Sequence, residues 1–215
     1  MKPFLRQFVE SLRSINWSNV SIAHSNIERL LKDVYRDKES LYKEIESHDL
    51  REREYRGKKS YNLPTHLKWY LHRDLNKQFE IWIHEYKPEA LRGRGYANVP
   101  HNHRYWFTSL LLRGSFTHKI YEVEGKQSDL LSFGSMQMIG HWPMSQGDVY
   151  TLDSDKIHSL TQIDDTTLTL IVSSRQIREY SEEFVPATRE IRRHDTIENI
   201  ASHRYIGVRS DGVLS

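Results

Sequence analysis

The chain has 215 residues, with 31 Lys plus Arg against 29 Asp plus Glu, twelve His and no Cys. That length suits one domain with an extension, and the near-balanced, intermixed charges argue against nucleic acid as an obligatory partner. Without Cys there can be no thiolate nucleophile, disulfide framework, Cys-ligated zinc or iron–sulfur cluster, so histidine is where chemistry is to be sought first.

No apolar stretch approaches the eighteen or so residues of a membrane span. The opening residues, MKPFLRQFVESLRS, interrupt their apolar positions with Arg and Glu, unlike a secretory signal. A soluble, cytoplasmic protein is expected. In chain order, Pro3 to Leu12 predicts a short helix with Phe4, Leu5, Phe8, Val9 and Leu12 on one face. From Ser25 to Glu46 apolar residues recur at helical spacing, and Ser25 with Glu28 fits a capping box, which predicts one helix starting near Ser25. The charged run from His48 to Lys59 reads as a solvated helix end and linker.

From about Leu67 the texture changes to period two, rich in aromatic and β-branched residues. The expected strands are Leu67 to Arg73, Phe79 to Tyr86, Tyr105 to Leu112, Phe116 to Val123, Ser135 to Ile139, Asp148 to Leu152, His158 to Gln162 and Thr167 to Ser173. Eight short strands without intervening helices require two packed sheets or a closed barrel to cover their faces. The tail after Arg175 is polar and reads as a partly helical, otherwise irregular extension lying on the barrel. The resulting division is a helical segment over 1–60, a barrel over 61–176 and a C-terminal extension over 177–215.

The segment GYANVPHNHRYWFTSLLLRG carries the pair His101 and His103. Alternate residues of a strand share a face, so the two imidazoles stand side by side, and neutral imidazoles suit Fe, Zn, Cu and Ni. This stretch resembles the first motif of the cupin family: Gly, five residues, H-x-H, three or four residues, Glu, six residues, Gly. Gly95, His101, His103 and Gly114 stand at those positions, while Phe107 fills the Glu slot with Thr108 beside it. The second cupin motif resembles GDVYTLDSDKIHSLTQ, where Gly147 and His158 match and Asp153, Asp155 and Gln162 replace its Pro, Gly and Asn.

The resemblance covers residues 66 to 175 and implies a mainly β fold: a cupin jelly-roll barrel, here with an N-terminal helical extension and a C-terminal irregular or helical tail. It further implies that His101, His103 and His158 converge on one metal. An apolar residue in the Glu slot makes the set similar to that of cysteine dioxygenase and the related thiol dioxygenases, which hold Fe(II) with three His. In those enzymes an Arg in an Arg-polar-Leu context binds the substrate carboxylate, and Arg73 is the matching residue. Their Ser, His and Tyr relay is not matched by TLTLIVSSR, and a Cys-free chain cannot form their Cys–Tyr cross-link, which points to a relative with its own substrate.

Further candidates are His118, as a donor behind the metal ligands, an alternative ligand or a hydrogen-bonded core residue, and Tyr105, as a hydroxyl that orients substrate or a packed aromatic. His84 and Trp82 read as barrel wall, Arg92, Arg94 and Arg104 as rim charges, and His141 and Trp142 as a loop. The other His, at 24, 48, 66, 72, 194 and 203, read as surface residues. The expected function is a non-haem Fe(II) oxygenase, with Zn, Mn or Ni as alternative metals, acting with O₂ on a small carboxylate-bearing thiol or amino acid. The alternatives are a metal-dependent lyase, isomerase or decarboxylase, and a non-catalytic ligand-binding cupin. The expected partners are that small substrate and O₂, with no membrane and a possible homodimer.

Overall fold

The computed structural model describes residues 3–47, 50–92 and 97–194. Gly95 and Arg94, His48, His203 and the last part of the tail lie outside them. The N-terminal segment forms helices α1 (Pro3–Arg13), α2 (Val20–Arg36), α3 (Lys38–Glu46) and α4 (Leu50–Gly57). α1 buries Leu5, Phe8, Val9 and Leu12, and α2 buries Ala23, Ile27, Leu31 and Val34, the apolar stripe expected of helices packed on one side.

Two details differ from the sequence reading. α2 begins earlier, because Asn19, as good a cap as Ser, accepts from the Ile22 N–H at 3.1 Å, and Ser25 lies inside the helix. The single helix expected to Glu46 is divided at Asp37 into α2 and α3. Buried Glu44 of α3 accepts from the Phe4 and Leu5 N–H groups at 2.8 and 3.1 Å. It thereby satisfies the start of α1 from a neighbouring helix with a carboxylate at the favourable end of the dipole.

Eleven strands follow among the described residues: β1 (Tyr61–Asn62), β2 (His66–Arg73), β3 (Phe79–Tyr86), β4 (Phe107–Arg113), β5 (Ser115–Glu124), β6 (Ser135–Ser145), β7 (Val149–Leu152), β8 (Ile157–Thr161), β9 (Leu168–Ser174), β10 (Ser181–Val185) and β11 (Glu190–His194). They form a six-stranded sheet in the order β1-β2-β3-β9-β4-β7, a three-stranded sheet β6-β5-β8 and the hairpin β10-β11, all antiparallel. Insertion of β9 between β3 and β4 is the crossover that makes this mainly β fold a jelly-roll rather than a meander.

Both faces of the large sheet are covered, which explains the near-continuous apolar runs of β4 and β9. Ile81, Ile83, Leu110, Leu112, Leu170 and Val172 pack in one core with α1 and α2. The opposite parity, including Trp82, Phe107, Leu111 and Ile171, faces the barrel interior. Gly114 turns the chain from β4 into β5 at φ +78°, and a Cβ there would lie 2.6 Å from Thr167 Oγ1, so the motif glycine has a steric reason.

The tail expectation is corrected. Residues 181–194 are a hairpin whose alternating Phe184 and Ile191 are buried against Phe133, a period-two pattern masked by the charges around it. His141 and Trp142, read as loop, lie on β6, which continues to Ser145.

Candidate metal centre

His101 and His158 face each other across an isolated antiparallel bridge, each donating its N–H to the other's carbonyl, at 2.9 and 2.8 Å. A pair bonded in this way puts both side chains on one side of the ladder. His103, two residues on, keeps the same parity, and its N–H reaches Ser154 O at 3.3 Å. One potential ligand atom from each of the three lies within 4.8 Å of the others, and His103 Nε2 is 2.8 Å from His158 Nε2.

The donor chemistry suits a metal ion. His101 Nδ1 is 2.8 Å from Val99 O, an acceptor only, so Nδ1 carries the proton and Nε2 is left with its lone pair. His158 Nδ1 is 2.9 Å from His118 Nε2, which directs the opposite nitrogen of His158 toward the group. Burial lowers His101 to about 4, against the opposing bond to Val99, and holds His103 and His158 well below the ordinary histidine range. All three are therefore neutral at physiological pH, the form that ligates. Phe107, in the acidic slot of the resembled motif, presents its ring edge-on to His103 at 5.0 Å between centroids, and no carboxylate belongs to the group among the described residues.

The hairpin read as an irregular tail holds the H-x-H segment from behind. Asn102, between the two His, donates from its amide to Glu182 Oε2 at 2.9 Å and accepts from the Glu182 N–H at 2.8 Å, while Phe184 N–H bonds Pro100 O at 2.8 Å. Glu182 is fully buried and is also bonded by Lys126 Nζ at 2.7 Å. Burial pushes its carboxyl up, but the bonds from Lys126 and Asn102 outweigh it and leave it below the usual range.

The three His open on a cavity of about 130 Å³, room for one small organic molecule. Tyr105 lines it, its ring centroid 5.5 Å from that of His103. His118 stands behind His158, 4 % exposed, outside the group of three, and its Nε2 accepts from the Nδ1–H that His158 carries when its opposite nitrogen ligates.

Arg73 is a correction. It lies at the end of β2, its side chain 56 % exposed and paired with Glu80 at 2.6 Å, and it does not line the cavity. Glu80 is four residues along β3 from the cavity residue His84, about 13 Å at ordinary strand rise. The buried cation of the cavity is instead Lys68, which the sequence reading passed over. His66 and His194, read as surface, also line the cavity. His24 is bonded to Thr108 Oγ1 at 2.9 Å, between helix and sheet. The missed signal was parity: His66 and Lys68 alternate on β2 opposite Tyr86 and His84.

No protein-family profile and no curated protein sequence matches the chain. Among solved structures it is similar to KdgF from Halomonas sp., at 15 % identity over 54 % of this chain and 87 % of that one, with a TM-score of 0.36. It is also similar to oxalate decarboxylase from Bacillus subtilis, at 15 % identity over 54 % of this chain and 27 % of that one, with a TM-score of 0.39. A third is the DMSP lyase DddQ from Ruegeria pomeroyi DSS-3, at 12 % identity over 49 % and 42 % of the two chains, with a TM-score of 0.31. The chain thus spans about a quarter of the decarboxylase and under half of the lyase. Likenesses this distant carry no function.

Proposed function

We propose that the protein is a metal-dependent enzyme of the cupin type, with His101, His103 and His158 as the ligands of Fe(II), and that it oxygenates a small carboxylate-bearing substrate. The observation that carries this reading is the neutral donor set: three buried imidazoles, with Phe107 where an acidic ligand would stand. Three imidazoles leave the ion its full charge, and they favour iron over the hard, oxygen-loving cations. Bound there, Fe(II) would supply the one-electron chemistry that lets O₂ react with a closed-shell substrate.

The chain's own residues do the rest. Val99 O and His118 hold two imidazoles in the ligating tautomer. Phe107, Tyr150, Leu160 and Ile171 wall the cavity with apolar surface that an apolar part of a substrate would cover. The Tyr105 hydroxyl, 3.5 Å from Lys68 Nζ, is placed to hold a proton or a substrate oxygen inside the cavity.

That Tyr–Lys pair also favours a second reading, a lyase or isomerase that moves a proton with Zn, Mn or Ni as Lewis acid. Oxygen uptake by iron-loaded protein over a panel of small thiols and amino acids tests the choice. Substrate-dependent uptake is the expected result; turnover of a substrate without uptake supports the second reading and contradicts the first.

A further inference from the structure

The cavity holds polar groups that the metal-centre reading leaves unused. Lys68 is 4 % exposed, yet among the described residues no carboxylate lies within ion-pair distance of its Nζ. Its neighbours are the Trp82 ring at 4.3 Å, the Tyr105 ring at 5.6 Å and the Tyr105 hydroxyl at 3.5 Å. A cation removed from water needs compensation, and aromatic faces supply only part of it.

Beside it, His66 and His84 stack at 4.4 Å between centroids, and the Nε2 of each is buried without a hydrogen-bond partner. Orphaned buried polar atoms are rare, and here two occur together on the wall of one cavity with an unneutralised ammonium. Strand register makes the cluster rigid: Lys68 stands directly opposite His84 across β2 and β3, and His66 is two residues from Lys68 on the same face. The Thr65 hydroxyl lies 2.9 Å from His66 Nδ1 and occupies that nitrogen, which leaves Nε2 as the ring's open position toward the cavity.

We propose that Lys68, His66 and His84 form an anion pocket that takes the carboxylate of the substrate, the role that the sequence resemblance assigned to Arg73. One ammonium and two unpartnered imidazole nitrogens share one cavity wall, and an oxyanion accepting from them would complete their hydrogen bonding. The Tyr105 ring neighbours both Lys68 Nζ and His103, at 5.6 and 5.5 Å, so a ligand that reaches both is short. The substrate class is a small carboxylate whose second polar group is separated by only a few atoms, an inference that rests on the metal-centre reading for where that second group goes.

The test uses the full-length protein at pH 8, as purified and after chelator treatment, titrated calorimetrically with propionate and with its neutral near-isostere propionamide. Propionate is expected to bind once per chain and propionamide at least tenfold more weakly. Lys68→Met and His84→Phe are expected to weaken propionate at least tenfold and severalfold, with melting curves that remain cooperative. Equal binding of acid and amide by the wild type, no propionate binding, or undiminished binding by folded Lys68→Met each overturns the proposal. Zn(II) titration of the same proteins keeps the two readings apart. Wild type that takes up Zn(II) but not propionate contradicts the anion pocket alone, and the reverse contradicts the metal centre alone. Discrimination of acid from amide needs no variant, so misfolding of Lys68→Met does not remove the test.

Discussion

His118 Nε2 stands 2.9 Å from His158 Nδ1, so one imidazole of the candidate centre is aimed by another that comes from a different strand, β5. Removing the aiming group leaves His158 free to rotate or to adopt the wrong tautomer. His118→Ala is expected to weaken metal binding by roughly 10–100-fold while the three ligands remain in place. Competition against a chelator of known affinity measures it; an unchanged affinity would show that the contact is only packing.

Glu182 makes the C-terminal hairpin part of the site. It is bonded to Asn102, Lys126 and, at 3.3 Å, Arg178, with none of its surface exposed. Lys126 and Arg178 are partly exposed and can turn to water, whereas buried Asn102 is left without its acceptor, so Glu182→Ala is expected to cost about 1–3 kcal/mol in urea unfolding. Because Asn102 lies between His101 and His103, metal affinity should fall in the same variant. Loss of stability with unaltered metal affinity in the remaining folded protein would separate the hairpin from the centre.

The protein is expected to be acid-labile. Burial lowers His66 to about 3 and His101 and His118 to about 4, and keeps His84, His103 and His158 well below the ordinary value. In the unfolded chain each returns to about 6.5. Between these limits the unfolded chain binds protons that the folded chain refuses. Stability is therefore complete above pH 6.5 and declines as the pH falls, by up to about 1.4 kcal/mol per pH unit for each such imidazole. The thermal midpoint of metal-free protein, followed from pH 7.5 to 4.5, should drop steeply below 6.5. A flat profile would mean that these imidazoles are not buried as a neutral group.

Arg73→Ala is expected to change little. Its ion pair with Glu80 is more than half exposed on the Arg side, which puts its worth at about 1 kcal/mol or less. Metal uptake and propionate binding should match the wild type, and loss of either would restore Arg73 to the site.

Sequence reading found the part of this molecule written in local pattern. Seven of the eight strands it named lie within two residues of their counterparts among β2 to β9, and the eighth stops six residues short of the end of β6, because aromatic and β-branched residues alternate there between turn residues. His101 and His103 are adjacent by parity alone, whereas His158 is brought in by a long-range bridge, which only the motif resemblance anticipated. What was missed depends on register. Parity groups His66 with Lys68 but does not separate Lys68, buried opposite His84, from Arg73, exposed opposite Glu80, because the register shift between Tyr70 and His72 brings both opposite the same face of β3. The hairpin was hidden likewise, since SEEFV and EIRRH are mostly charged and only pairing with each other and with the metal segment buries Phe184, Ile191 and Glu182.

The central claim is that three neutral imidazoles hold one metal ion. Metal content of protein purified anaerobically, measured by mass spectrometry beside His101→Ala and His158→Ala, tests it most directly. About one ion per wild-type chain, iron foremost, and loss of that ion in both folded variants is the predicted result. Wild-type protein without stoichiometric metal, or variants that keep the ion undiminished, would contradict it.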